Sequence, residues 1–477
     1  MSKNSIVSEV QSVTGMNEHL LKRLTLTLGT LASQSDNPSI SDIAKNDSER
    51  VAISRFFNNE NVDADAILAS HARMTEERAT SHNVVLFVQD TTEISLPESV
   101  SGIGPTSSST SYGYYIHPVL ATTSDGLPLG CYAHKIWTRS IDRVRGRKRE
   151  NMLRSIPAEE KESIRWLEGY QATSEFAQRH PDIISVCIGD SESDMYDLYA
   201  MERPIPNLHF LIRACYDRVC IEKDSKEVMK LKDKFAISSY MYTDKIKVQK
   251  RTTKLDGKRH EFREDRDAEV EVRSCEVCFK RPSYNKLSTQ NVSMNVVFVK
   301  EINPPEGETP VEWTLLTTLP ACTAEEAKNV VSYYKTRWQI ELFFRTLKEG
   351  CAIEKRQHGS FKSAKTCASL LMIIAWHIMA ITYTPRQHPE VSSELFFEPD
   401  EQKALYAFVD NAAEFPEEPP TIGEFIIKLA KLGGYSPTSK YPPGVRTIWK
   451  AVNKLMIITA CWKQFTAMNN MFNPEKG

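Results

Sequence analysis

The sequence predicts a mixed α/β sheet carrying a β-rich insertion, with helical segments at both ends. Three observations lead there. Residues 84–88 are consecutively apolar, as in a strand buried on both faces, and Asp90 stands at its carboxyl end. Residues 182–190 read as a second short apolar strand that also ends in an acid at a turn, Asp190. Between that acid and the helical pattern around Glu341 lies far more chain than one crossover needs, and most of it alternates as strands.

Taken in order, residues 1–75 are helical in pattern, with helices expected over 20–31, from 40, and over 48–57. Two readings are open for them, a unit that places a helix in a DNA groove or a helical cap on the following domain. From residue 81 the pattern changes to strands at 83–89, 114–122 and 129–136, with Asp125-Gly126 as the turn of a hairpin. A helix over 158–179, the strand ending at Asp190 and a strand over 208–214 complete the first part of an α/β domain, residues 76–214. Residues 215–320 form the β-rich insertion, with strands at 240–249, 268–280, 292–302 and 311–319. Thr323-x-x-Glu326 is a capping box opening the second part of the domain, 321–385. The apolar run 367–381 is too short for a membrane span and reads as a buried core helix. An acidic, Pro-rich stretch at 414–420 interrupts the C-terminal region, 386–477, before amphipathic helices over 421–432 and 445–465. Ile457, Ile458, Trp462 and Phe465 could face a second chain or the chain's own core.

Residues 334–348 carry the densest chemistry. At about 100° per residue, Tyr334, Arg337, Glu341, Arg345 and Lys348 fall within an arc of roughly 80° if the segment is one helix. Ile340, Phe343 and Leu347 lie towards the other side. Such a face is either an ordinary solvated one or a carboxylate metal ligand set beside bound phosphates. Two strand-end acids plus Glu341 suit a divalent-metal site of hard oxygen ligands, although each Asp alone could be a turn residue or helix N-cap.

Composition excludes little. Net charge is −2 and the pI about 6.6, so no global basicity marks a nucleic-acid binder. Charge is segregated, however. Residues 135–149 hold seven Lys or Arg against Asp142, residues 245–259 hold seven against Asp256, and residues 425–463 hold seven with no acid. Each stripe is either a phosphate-binding strip or a solvated surface. The ten cysteines are irregularly spaced and no signal peptide opens the chain, which fits a reducing cytoplasm. Cys275 and Cys278 could be half of a zinc site with Cys215 and Cys220, but their offset within a strand sends them to opposite faces.

The Tyr334-x2-Arg337-x3-Glu341-x6-Lys348 spacing resembles the signature of bacterial cut-and-paste DDE transposases, of the transposon-five group. Asp90-Thr-Thr and Asp190-x-Glu-x-Asp194 resemble that family's two aspartate motifs. Further matches include Arg55-Phe56, Asn61-Val62, Trp166, Trp313-x-Leu-Leu-Thr317, Leu432-Gly-Gly-Tyr435 and Trp449, so the likeness spans about residues 50–460. The resemblance implies a ribonuclease H-like fold and Asp90, Asp190 and Glu341 as catalytic metal ligands. It implies two Mg²⁺ ions, replaceable by Mn²⁺, with Asp90 bridging them. Tyr334, Arg337 and Lys348 would contact DNA phosphate, with Arg345 and Arg213 as secondary contacts. Trp313 and Trp338 would stack on an unstacked base or else be core residues. The implied partners are double-stranded DNA, both transposon ends and target, and a second copy of the chain; no membrane is implied. The implied setting is the bacterial cytoplasm, on the nucleoid. The implied activity is cleavage at transposon ends through a hairpin, followed by strand transfer. A nuclease of the same fold without strand transfer, or a non-catalytic DNA-binding inhibitor, are the alternatives.

Overall fold

The computed structural model describes residues 6–107, 111–139, 162–221, 227–248, 251–255, 258–263, 265–282, 291–410, 415–439 and 441–472. The basic run from residue 140 onward and the first residues of the helix expected over 158–179 therefore lie outside the described residues. The chain divides into two units. A central unit comprises His82–Asp90 and Ser155–Arg337, and a terminal unit Met1–Ser81, Thr91–Arg154 and Trp338–Gly477.

In the central unit, Val84–Gln89, Ile184–Gly189 and Leu208–Arg213 lie side by side and parallel. Their near-continuous apolar runs are what a strand covered on both faces requires. Glu312–Thr317 then pairs antiparallel with Leu208–Arg213, followed by Val292–Glu301 and Arg266–Phe279. Ser239–Val248 and the short Val219–Ile221 both pair with Arg266–Phe279. The β-rich insertion is thus an extension of the same sheet and not a separate body. Cys275 and Cys278 stand in this ladder opposite Val296 and Ser293.

Helix Ile164–Arg179 covers the sheet, with Trp166, Tyr170 and Phe176 buried. Burying side chains of this size contributes about 1.5–3 kcal/mol each. Asp194 is the polar hub beneath. It takes N–H bonds from Cys215 (2.7 Å), Tyr216 (2.9 Å) and Arg218 Nε (2.8 Å), and the Tyr199 hydroxyl donates to it at 2.6 Å.

The terminal unit is mainly helical. Glu18–Ser33, Ile40–Ile43 and Asp47–Phe57 match the three helices expected, and each opens on an Asn or Ser whose side chain accepts a backbone N–H. A further helix, Ala64–Ala79, runs through position 75. The strands Tyr112–Thr123 and Pro128–Trp137 form the expected hairpin, with Gly126 at φ 91° in its turn, a conformation that suits glycine. Phe361–Gln387 has the length and composition to cross a membrane, yet 89% of its most apolar window is buried within the protein. Helices Ile422–Leu432 and Val445–Phe472 follow as expected, the first with a Thr421/Glu424 capping box. Helix Pro399–Asp410 stands in a stretch for which the sequence suggested none.

Near the start of the chain, the buried Glu9 carboxylate is clasped by His71 Nδ1 at 2.6 Å and Arg78 Nη1 at 2.8 Å. His71 Nε2 accepts the Cys131 N–H at 3.0 Å, which leaves the ring proton on Nδ1 to be donated to Glu9. Arg78 also lies 4.1 Å from the centre of the Trp376 ring.

Candidate active site

Register brings the two strand-end acids together. Val88 pairs with Ile188, so Asp90 and Asp190 each follow two residues later, at the same end of neighbouring parallel strands. Adjacent strands lie about 4.8 Å apart. Gly189 permits the turn that follows, because a Cβ there would lie 2.3 Å from Ser193 Oγ. Asp190 Oδ1 accepts the Glu192 N–H at 2.8 Å and so caps the short turn Ser191–Ser193. The N-cap role left open by the sequence is therefore real, and it occupies Oδ1.

Around this pair stand Arg337, Arg213 and Tyr334. Arg337 Nη1 is 3.4 Å from Asp90 Oδ2, both side chains being partly exposed. Arg213 ends its strand with Nη2 3.4 Å from Ser191 Oγ. Tyr334 is only 4% exposed, and among the described residues its buried hydroxyl has no hydrogen bond of good geometry, with Arg337 the nearest candidate donor. Burial pushes its phenol above the ordinary value; the Arg213 and Arg337 charges oppose that rise and Asp190 adds to it. Trp313, half-buried on its strand, meets the Tyr334 ring edge-on with centroids 5.4 Å apart.

The central unit thus gathers Asp90, Asp190, Arg213, Trp313, Tyr334 and Arg337. Trp338, Glu341, Arg345 and Lys348 belong to the terminal unit. The single helix expected over 334–348 is not present. Helix Ala324–Thr336, opened by the Thr323/Glu326 capping box, ends before Arg337, and Trp338–Arg345 follows it. A π turn, Thr346–Gly350, comes next. Two bonds account for that widening. Thr346 Oγ1 donates to the Leu342 carbonyl at 2.8 Å, and the Cys351 N–H reaches back to the Thr346 carbonyl at 2.9 Å.

Ile340, Phe343 and Leu347 are fully buried, as the apolar face predicted. Glu341 lies in the first turn of Trp338–Arg345 and is partly exposed. Arg345 is exposed, with Nε 3.5 Å from Glu349. Lys348 Nζ is 3.3 Å from Glu354 Oε1, an oxygen that also accepts the Ser95 N–H at 3.2 Å. Trp338 is 44% exposed, so the two tryptophans singled out by sequence stand in different surroundings. Sequence reasoning missed Glu354 and the buried Arg356 that follows it; neither position has a periodicity or motif to mark it.

Two carboxylates leaving adjacent strands are hard oxygen donors of the kind a divalent cation takes. Among the described residues, no three His, Cys, Asp or Glu side chains cluster as a ready-made metal group. The buried Tyr334 hydroxyl beside two arginines suits an anionic oxygen.

Residues 174–376 match the family model of the transposase DDE domain, and residues 373–467 that of the transposase Tn5 dimerisation domain. The first match takes in Asp190, Tyr334, Arg337, Glu341 and Lys348 and begins beyond Asp90. The large mixed sheet with helices at both ends agrees with the ribonuclease H-like fold of such domains. Together the matches support a DNA transposase of the Tn5-like DDE type, a class that works on phosphodiester bonds with divalent metal ions and is associated with DNA binding and dimer formation.

Proposed function

We propose that this chain, with a transposase DDE domain beside a Tn5-type dimerisation domain, excises an element from DNA through a hairpin intermediate and joins it to target DNA. The observation that carries the reading is the Asp90/Asp190 pair at the ends of adjacent parallel strands, ringed by Arg337, Arg213 and the buried Tyr334 hydroxyl. Glu341 is the third carboxylate of the site. Two Mg²⁺ ions, or Mn²⁺ in their place, would supply charge neutralisation at the attacking and leaving oxygens.

The residues of the chain do the rest. Asp90, Asp190 and Glu341 would hold the metal ions, and Arg337 and Lys348 bind the scissile phosphate by charge. Tyr334 donates its spare hydroxyl proton to a non-bridging oxygen, while Arg213 and Arg345 hold neighbouring phosphates. Trp313, with Trp338 as the second candidate, stacks the base that must leave the duplex when the end folds back. Water first cleaves the transferred strand and frees its 3′-OH. That hydroxyl attacks the opposite strand, closing the hairpin and expelling flanking DNA. A second hydrolysis reopens the hairpin, and the same 3′-OH then attacks target DNA.

Residues 1–75 recognise the element's end, residues 76–214 and 321–385 carry the chemistry, 215–320 form the insertion, and 386–477 dimerise. Support for the dimer face comes from the exposed Ile457 (51%) and Phe465 (71%), with Ile458 and Trp462 half-buried on the same helix. Each subunit then cuts the end bound mainly by its partner. A labelled end duplex with Mg²⁺ tests the reading, with hairpins and joined products expected. Nicks alone would indicate a nuclease, and binding alone an inhibitor. Mixing a Glu341→Ala subunit with one unable to bind ends should restore cleavage; full cutting by a monomer on one end would exclude the trans arrangement.

A further inference from the structure

Arg356 is the least expected cation of the terminal unit. Its side chain is 3% exposed, and among the described residues no carboxylate pairs with it. Nε donates to the Cys351 carbonyl at 3.1 Å and Nη2 to the Ser35 carbonyl at 2.8 Å, while the buried Nη1 has no hydrogen-bond partner among the described residues. A buried guanidinium without a counter-charge is costly and persists only where its surroundings fix it.

The two carbonyls show what it fastens. Cys351 closes the π turn Thr346–Gly350 that carries Lys348. Ala352 follows at φ 49°, in the left-handed region that side chains seldom adopt, and is 2% exposed. Next comes the turn Ile353–Lys355, whose Glu354 holds Lys348. Ser35 lies just beyond helix Glu18–Ser33, and its hydroxyl donates to the Gly350 carbonyl at 3.0 Å. Gly350 has no room for a side chain, since a Cβ would lie 2.9 Å from Trp449 Cε3. An irregular, strained and closely packed stretch therefore follows Glu341, and Arg356 ties it to the end of the first long helix.

We propose that Arg356 is a positioning residue for the Glu341–Lys348 segment. Its guanidinium fixes residues 346–355, and with them the aim of Lys348 and the seat of the helix bearing Glu341. A guanidinium suits the task because one planar group sends N–H donors to two separate carbonyls, which an ammonium on a flexible stem does less well. The proposal rests on the reading of Glu341 as a metal ligand and Lys348 as a phosphate contact.

The test compares full-length wild type, Arg356→Met and Arg356→Lys. Hydrogen exchange is read first, on protein free of metal and DNA. Amides of residues 347–355 should exchange about 10-fold faster in Arg356→Met, with those of Pro128–Trp137 unchanged. In cleavage of a labelled end, the Mg²⁺ concentration for half-maximal rate should rise about 10-fold, as for loss of a group that orients a metal ligand. Excess Mg²⁺ should restore the rate, the Kd for the end should stay the same, and Arg356→Lys should recover part of both effects. Unchanged local exchange and an unchanged metal curve would overturn the proposal. So would a general loss of protection and end binding that Mg²⁺ does not rescue. If Arg356→Met does not fold, Arg356→Lys carries the test alone, since it keeps the charge but not the two-carbonyl fork; a shifted metal curve supports the proposal and an unshifted one overturns it. Metal-dependent cleavage surviving in Glu341→Ala would defeat the functional reading itself. A dead Glu341→Ala enzyme with a normal Arg356→Met curve would defeat only the role given to Arg356.

Discussion

Among the carboxylates that stand beside arginines in the described residues, Glu9 and the Asp90/Asp190 pair are built in opposite ways. In the terminal unit, Glu9 is wholly buried; both its oxygens take bonds from Arg78, and one also takes the His71 proton. In the central unit, Asp90 and Asp190 are partly exposed at the strand ends, where Arg337 lies 3.4 Å from Asp90 and the Glu192 N–H caps Oδ1 of Asp190 at 2.8 Å. A carboxylate whose lone pairs are all engaged holds a fold together; one left reachable by solvent can take a ligand. The same contrast recurs within one motif. Asp194, four residues after Asp190, is buried and accepts bonds from Arg218, Tyr199 and two backbone N–H groups.

The sharpest way to break this contrast is to delete the acids of each kind. Asp90→Ala, Asp190→Ala or Glu341→Ala should reduce Mg²⁺-dependent cleavage on the order of 10⁴-fold, while the melting temperature and end binding stay near wild type. Cleavage at the wild-type rate by any of them removes that residue from the site. Asp194→Ala or Glu9→Ala should instead lose roughly 1–3 kcal/mol of stability, because each leaves a partly buried arginine and other bonded donors without their carboxylate. Denaturant titration measures it, and a loss below about 1 kcal/mol would mean that the bonded acids are dispensable.

Trp313→Ala probes the margin between the two kinds of role. As a stacking platform it should slow hairpin closure more than first-strand nicking, by about 1–3 kcal/mol in barrier. Equal slowing of both steps with a lowered melting temperature would make it a packing residue beside Tyr334.

The gentlest probe is pH. Burial holds the His71 pKa below its ordinary 6.5, so the unfolded chain takes up that proton first and stability falls as pH drops below 6.5. Burial alone would raise Glu9, but His71 and Arg78 hold it down at about 2. Its contribution is present above the ordinary 4.5 and is lost as pH falls from there towards 2. Melting temperatures of wild type and His71→Gln across this range separate the phases. The upper phase should vanish in the variant, and its persistence would place the sensitivity elsewhere.

Legibility in the sequence followed the same division. Strand positions were readable because apolar runs and register leave little choice: residues 84–88 and 182–190 became neighbouring parallel strands, and the capping box at Thr323 opened its helix as expected. The insertion's strands were also readable, although pairing alone shows that they extend the main sheet. Periodicity placed the apolar face of residues 334–348 but could not mark the break after Thr336 or the π turn Thr346–Gly350, where Thr346 bonds back to the Leu342 carbonyl. Tyr334 is buried against Trp313 yet stands beside Arg213 and Arg337, so burial and a charged setting coincide at a position where periodicity shows only the second. The Glu9–His71 clasp joins positions too distant in sequence for any local pattern to reveal.

Helix Phe361–Gln387 has a consequence for how the chain matures. Its 27 residues span about 40 Å and are almost wholly enclosed. Its cover comes from both directions of the sequence: Ala64–Ala79 and Pro128–Trp137 made earlier, Ile422–Leu432 and Val445–Phe472 made later. During synthesis this apolar rod leaves the ribosome before half of its cover exists. The terminal unit should therefore close late, with a folding rate limited by contacts remote in sequence.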